Sequence, residues 1–133
     1  MHIESHQRAL QESMRVIEFA IQQGAEKSQR NLGFNVCTAA LDMLEIYLHT
    51  EGLLSLSATI KHEWFSSVRR AHERIPQDFP HKERILRLFS SLEQRRNILI
   101  YGKQQPRPMI EEFLGNFNEL KAIFVELGVD YEQ

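Results

Sequence analysis

Cysteine is nearly absent from this chain, with Cys37 the single one in 133 residues. One thiol cannot close an internal disulfide, so a small domain held together by disulfides is excluded. Its surroundings, VCTAALDML, read as the apolar side of a helix in which the thiol acts as a small hydrophobe. Proline and glycine are also scarce, at four and six residues, so long stretches are free to be helical. No uncharged apolar run approaches the roughly 18 to 20 residues needed to span a bilayer, and the Met1 end reads HIESHQR without an apolar signal core. The expectation is a cytoplasmic protein with no membrane contact. A phosphate-binding glycine loop and a nucleophile elbow are both missing, which removes the commonest nucleotide-hydrolase and ester-hydrolase readings.

What remains is ordinary globular composition, 42% hydrophobic and 26% charged, in a length suited to one core, so residues 1–133 form a single expected domain. Apolar residues recur at helical spacing throughout. Leu10, Met14, Ile17 and Ile21 form a stripe over about Glu4 to Gln23, ended by Gly24. The segment from about Lys27 to Thr50 carries two adjoining stripes, Val36, Ala40, Met43 and Tyr47 beside Cys37, Leu41, Leu44 and Leu48, as a central helix would. Gly52 suits its C-terminal cap, and LLSLS reads as a loop. A third helix is expected from near Ser57, with Ile60, Trp64, Val68, Ala71 and Ile75 inward and Trp64 as a core anchor, until Pro76 and Pro80 interrupt it. A fourth runs from about His81 to Tyr101 with Ile85, Leu88, Phe89, Leu92 and Leu99 inward. A fifth, about Arg107 to Leu127, carries Ile110, Phe113, Leu114, Phe117, Leu120, Phe124 and Leu127, with Pro108 in its first turn and Gly128 as its stop. Nothing alternates like a strand, and no fixed repeat occurs. The fold class is all-α, a four- to five-helix up-and-down bundle.

The net charge of −2 hides an asymmetry: residues 61–107 hold 11 Lys and Arg against 5 Asp and Glu, net +6, and the rest sums to −8. A basic segment within one domain points to an anionic partner, or else to a solvated helix face. Six histidines raise the question of a metal. His62-Glu63 and His72-Glu73 both open like the zinc motif H-E-x-x-H, but Ser66 and Pro76 stand where its second histidine should be. No glutamate has a histidine three residues on, as a di-iron bundle requires. His2 and His6, and Glu45 and His49, read as helix neighbours only. The expectation is no metal and no cofactor.

One position is anomalous. Extending the stripe Ile85, Phe89, Leu92 by four residues lands on Arg96, and a guanidinium on an apolar stripe needs a partner, a cleft or a subunit interface, because burying it alone costs several kcal/mol. Asn97 and Tyr101 are four apart and share a face beside it. A salt bridge from Arg96 to a neighbouring helix, with Asn97 and Tyr101 tying down the KQQPRP turn, is the purely structural alternative.

The text RRNILIYGK, residues 95–103, resembles the hallmark of the HEPN family (higher-eukaryote and prokaryote nucleotide-binding domains): an arginine, commonly followed by asparagine, and a histidine several places later. NLGFNVCTAALDMLEIYLH resembles the family's second helix. The resemblance implies a helical bundle that dimerises with two motifs facing each other, and in the ribonucleases of the family a metal-independent cleavage by a ribose 2′-hydroxyl. It places Arg96, Asn97 and Tyr101 at the motif-equivalent catalytic positions. Tyr101 stands where the histidine belongs, and a phenol titrating near 10 leaves roughly a thousandth ionised at pH 7, a poor general base. A phenol still donates a hydrogen bond or stacks on a base.

The expected function is therefore nucleotide or RNA binding by a homodimer, or service as the partner subunit of a minimal nucleotidyltransferase in a toxin–antitoxin-like system. The contact residues are Arg95, Arg96 and Lys103, with Arg69 and Arg70 from the same basic segment. Lys103 occupies the place at which some family members carry a tyrosine modified by the nucleotidyltransferase. The alternatives are an active metal-independent endoribonuclease, with His72 or His81 folded in as the base, and a non-catalytic adaptor bundle presenting Phe65 and Leu53-Leu54 to a partner.

Overall fold

A helix whose residues are apolar on most of its circumference must sit inside the others, and the segment with two adjoining stripes does. A computed structural model of the chain describes residues 2–55 and 57–130. They form α1 (Ile3–Gly24), a 3-10 turn (Ala25–Ser28), α2 (Gln29–Thr50), a second 3-10 turn (His62–Ser66), α3 (Val68–Arg74), α4 (Lys82–Tyr101) and α5 (Arg107–Glu126). The four long helices run up and down. α2 is antiparallel to α1 and α4 and parallel to α5, and it touches all three. Eight consecutive α2 residues, Asp42 to His49, are buried. Among the described residues no strand is present, and no helix is long and apolar enough to cross a membrane.

Most of the expected stripes turn inward. Ile85, Leu88, Phe89, Leu92 and Leu99 of α4 are buried, as are Ile110, Phe113, Phe117, Leu120 and Phe124 of α5. Leu114 and Leu127 lie only at the core's edge. On α1 the buried row is Leu10, Met14, Ile17 and then Ala20, whereas Ile21 is exposed. Gly24, Gly52 and Gly128 hold the positive φ values of 117°, 71° and 98° that end α1, α2 and α5, backbone that a Cβ would strain. α2 and α4 approach closely at Gly33, where an added Cβ would stand 2.9 Å from Leu99 Cβ and 3.2 Å from Ile100 Cγ1.

The expected third helix from Ser57 is not there. Residues 57–61 are non-helical among those described, Leu56 lying outside them, and only the seven residues of α3 are regular. Two interactions decide this. The Glu45 carboxylate takes the amide of Ile60 at 2.6 Å, holding that stretch against α2. Ser67, in extended conformation, caps α3 by accepting from the Arg70 amide, so the helix starts there.

The same break exchanges the roles of two aromatics. Phe65, expected as leftover surface for a partner, is 1% exposed and stacks on Phe89 with centroids 4.5 Å apart. Trp64, expected as the anchor, is only partly buried, with the Arg74 guanidinium over its ring at 5.9 Å. Leu53 and Leu54 also pack partly against the core. Phe65→Ala should accordingly cost about 3 to 5 kcal/mol and Trp64→Ala clearly less, read from urea-unfolding midpoints. The opposite ranking would show that Trp64 carries the packing.

Candidate functional site

The end of the bundle where α4 stops is open and cationic. Because α2 is antiparallel to α4, the start of α2 lies beside the α4–α5 turn. Gln29 fastens the two together: its amide donates to the Gln105 carbonyl and its carbonyl accepts the Gln105 amide, both at 2.9 Å. A cleft of about 360 Å³ lies there, lined by Lys27, Arg30, Tyr101 and Lys103 with Leu99 and Ile100 at its wall. No carboxylate lines it, and among the described residues Lys27, Arg30 and Lys103 make no ion pair. The positive end of the α2 dipole adds to this field and the negative end of the α4 dipole opposes it, so the three side-chain cations set its sign.

The residues expected at the site separate into those the fold gathers and those it does not. Tyr101 is 74% exposed at the cleft, and Lys103 lies on its rim. Arg96 and Asn97 stand about one turn back on α4. Arg96 is half-buried, and its guanidinium donates to the Asn97 carbonyl at 3.2 Å. Among the described residues it pairs with no carboxylate on another helix, so there the salt-bridge alternative fails for this side chain. Arg95 faces the other way. It donates to Ser91 Oγ at 2.7 Å and to Glu112 of α5 at 2.6 Å, which makes it an α4–α5 tie rather than a free cation.

Arg69 and Arg70 are elsewhere. His62 meets Glu93, Phe65 meets Phe89 and His72 meets Glu83. These pairs place Arg69 and Arg70 alongside the first half of α4, about 10 to 20 Å from Arg96 by helical rise, and Arg69 pairs with Glu73. His72 and His81 lie at that far end too, the latter at the N-cap of α4. His62, bonded to Glu93 one turn before Arg96, is the histidine set closest to it along α4, and its ring is engaged by that carboxylate. Lys27 and Arg30 were missed because they precede the basic segment and join the cleft only through helix pairing.

A second constellation occupies the α1–α2 interface, close to the other end of α2. His6, Asp42, Glu45 and His49 are 4%, 8%, 2% and 7% exposed. His6 Nδ1 lies 2.9 Å from Asp42 Oδ1 and His6 Nε2 lies 2.5 Å from Glu45 Oε2. His49 Nδ1 lies 3.1 Å from the Leu54 carbonyl, and its ring stacks on His6 at 5.9 Å. Burial holds the Asp42 carboxyl above its usual range, partly opposed by its bond to His6. Four buried atoms here, His6 Nε2, Asp42 Oδ2, Glu45 Oε2 and His49 Nε2, have no hydrogen-bonding partner of good geometry. His6, Glu45 and His49 each offer a donor atom, all within 4.8 Å of one another. The reading of Glu45 and His49 as mere neighbours is thereby corrected. They are neighbours on α2, and packing brings His6 across from α1 to meet them.

Cys37 is 7% exposed, and burial, then the Glu93 charge, pushes its thiol up to about 12. At pH 8 almost none is thiolate, the form that reacts. A disulfide-exchange reagent such as dithionitrobenzoate should label the folded protein at least 100-fold more slowly than the unfolded chain. Equal rates would show that the α2–α4 seam opens readily.

No protein-family model, curated protein or solved structure matches the chain.

Proposed function

We propose that this helical bundle binds the phosphates of a nucleotide or a short RNA in the cleft at the end of α4, as a HEPN-like binding protein rather than an active nuclease. The observation that carries the reading is the set of three cations, Lys27, Arg30 and Lys103, converging on an open cleft without a carboxylate to neutralise them. Cations left unpaired around a concavity favour an anion, and RNA or a nucleotide supplies both phosphate and a base. Tyr101, largely exposed beside them, is placed to stack on that base. Arg96 and Asn97 continue the same surface along α4, in keeping with the motif that RRNILIYGK resembles.

Binding is favoured over cleavage because Tyr101 stands at the motif histidine, and His62, the histidine set closest along α4, is engaged by Glu93. Phe34 and Ile98, 52% and 42% exposed, lie close to the Gly33 contact and support association of this face with a second copy, the homodimer the family resemblance implies. A nucleotidyltransferase partner would use the same face.

Fluorescence titration with ATP and with a short single-stranded RNA tests the proposal. Binding at low salt should weaken as salt rises. Each of Lys27→Ala, Arg30→Ala and Lys103→Ala should reduce the salt dependence by about one released counterion. Tyr101→Ala should cost RNA about 1 to 3 kcal/mol. Arg69→Ala and Arg70→Ala should change little. Absence of binding at low salt, or equal loss in every arginine variant wherever it lies, would overturn the assignment. RNA cleaved in the presence of chelator, with cleavage lost in Arg96→Ala, would move the protein to the endoribonuclease reading.

A further inference from the structure

We propose that the buried cluster between α1 and α2 is a metal centre in which His6 Nε2, Glu45 and His49 Nε2 bind one divalent ion of the zinc class. It is independent of the cationic cleft, from which Glu45 is separated by some 15 residues of α2, about 22 Å by helical rise.

The tautomers carry the argument. The Leu54 carbonyl can only accept, so the proton it faces is on His49 Nδ1, and the lone pair of His49 is on Nε2. With Asp42 ionised, its carboxylate accepts from His6 Nδ1, and in the neutral ring this leaves the lone pair on Nε2, facing Glu45 Oε2. A metal-bound histidine shows this pattern, with one nitrogen on the ion and the other donating to a carboxylate or backbone carbonyl. Both lone pairs and a carboxylate oxygen thus face one small buried region, and none has a hydrogen-bonding partner of good geometry.

Lone pairs and a carboxylate 2.5 Å apart repel unless something positive lies against them. The cluster also carries two carboxyl groups in an interior that disfavours uncompensated charge. A doubly charged cation answers both demands. Two imidazoles and one carboxylate suit zinc and its first-row neighbours better than magnesium or calcium, which prefer oxygen throughout. In a tetrahedral site with bonds of about 2.0 to 2.2 Å, neighbouring ligand atoms stand about 3.3 Å apart. Donors that now lie 2.5 Å apart at the closest and within 4.8 Å of one another close on one ion by side-chain movements on the order of an ångström. Asp42 is a positioning residue. Since all four residues are buried and none lines the cleft, the ion acts as a staple joining α1 and α2. It also orients the Glu45 carboxylate that holds the Ile60 amide.

The test uses the full chain, unfolded with chelator, refolded metal-free and titrated with zinc alone by calorimetry. Cobalt is the spectroscopic probe. One equivalent should bind, raise the melting temperature and give the visible bands of four- or five-coordinate cobalt. Glu45→Gln and His49→Gln should abolish stoichiometric binding, and Asp42→Asn should weaken it 10- to 100-fold. Replacing the more exposed His62, His72 and His81 together by alanine should leave the equivalent intact.

Imidazole ¹⁵N resonances of the wild-type protein decide the matter even if a variant fails to fold. Zinc should shift Nε2 of two histidines whose Nδ1 stays protonated. A His6 ring protonated on both nitrogens that ignores zinc would overturn the proposal, making the cluster a proton-held ion pair. Loss of the equivalent in the triple surface variant would overturn it as well.

Discussion

Burial of α2 over a broad face, complete from Asp42 to His49, is the constraint on which the rest of this structure depends. A polar side chain on that face must be satisfied from another element, since water cannot reach it. Gln29, Asp42, Glu45 and His49 are buried, and each has found a partner outside α2. Gln29 takes the α4–α5 turn, Asp42 and Glu45 take His6 of α1, Glu45 also takes the Ile60 amide, and His49 takes the Leu54 carbonyl. The polar residues of the central helix therefore determine where the loops lie, while its apolar residues determine which helices surround it.

The two ends of α2 consequently differ in character. At its start the chain gathers cations that the fold leaves unpaired, and Gln29 keeps the turn bearing Lys103 next to Lys27 and Arg30. Near its far end the chain gathers imidazoles and carboxylates, closed away from solvent. An open cationic cleft suits an exchangeable anion, whereas an enclosed nitrogen and oxygen donor set suits a resident ion. Between them, α4 and α5 are joined by Arg84 with Glu119 and Arg95 with Glu112. Both pairs are partly exposed, so they steer the helices into register more than they stabilise them. They also remove two arginines of the basic segment from any role in ligand binding.

The long helices were legible in the sequence because their stripes repeat over about three to five turns, and a sustained period is hard to mistake. Their boundaries came within a residue or two for α1, α4 and α5. Of the helix expected from Ser57, residues 57–67 were misread because Ile60, Trp64, Val68, Ala71 and Ile75 keep helical spacing while a distant carboxylate, Glu45, holds the Ile60 amide; Ile60, Ala71 and Ile75 are buried as expected. Ser67 then restarts the helix late. Trp64 and Phe65, adjacent in sequence, exchanged places for the same reason, since a one-residue change in helical phase turns a side chain by about 100°.

The sequence by itself determined an all-helical bundle with a central helix, and it marked the end of α4, with Arg96, Asn97, Tyr101 and Lys103, as chemically unusual. Periodicity reports which face of each helix is buried, and that suffices for those conclusions. Only tertiary structure decided which of the basic residues share a surface, because charge counted along a chain ignores helix pairing. It set Lys27 and Arg30 beside Tyr101 and turned Arg95 to α5. It likewise assembled His6 with Glu45 and His49 across at least 38 residues of intervening chain, a contact that no local spacing encodes, since it exists only where two antiparallel helices meet.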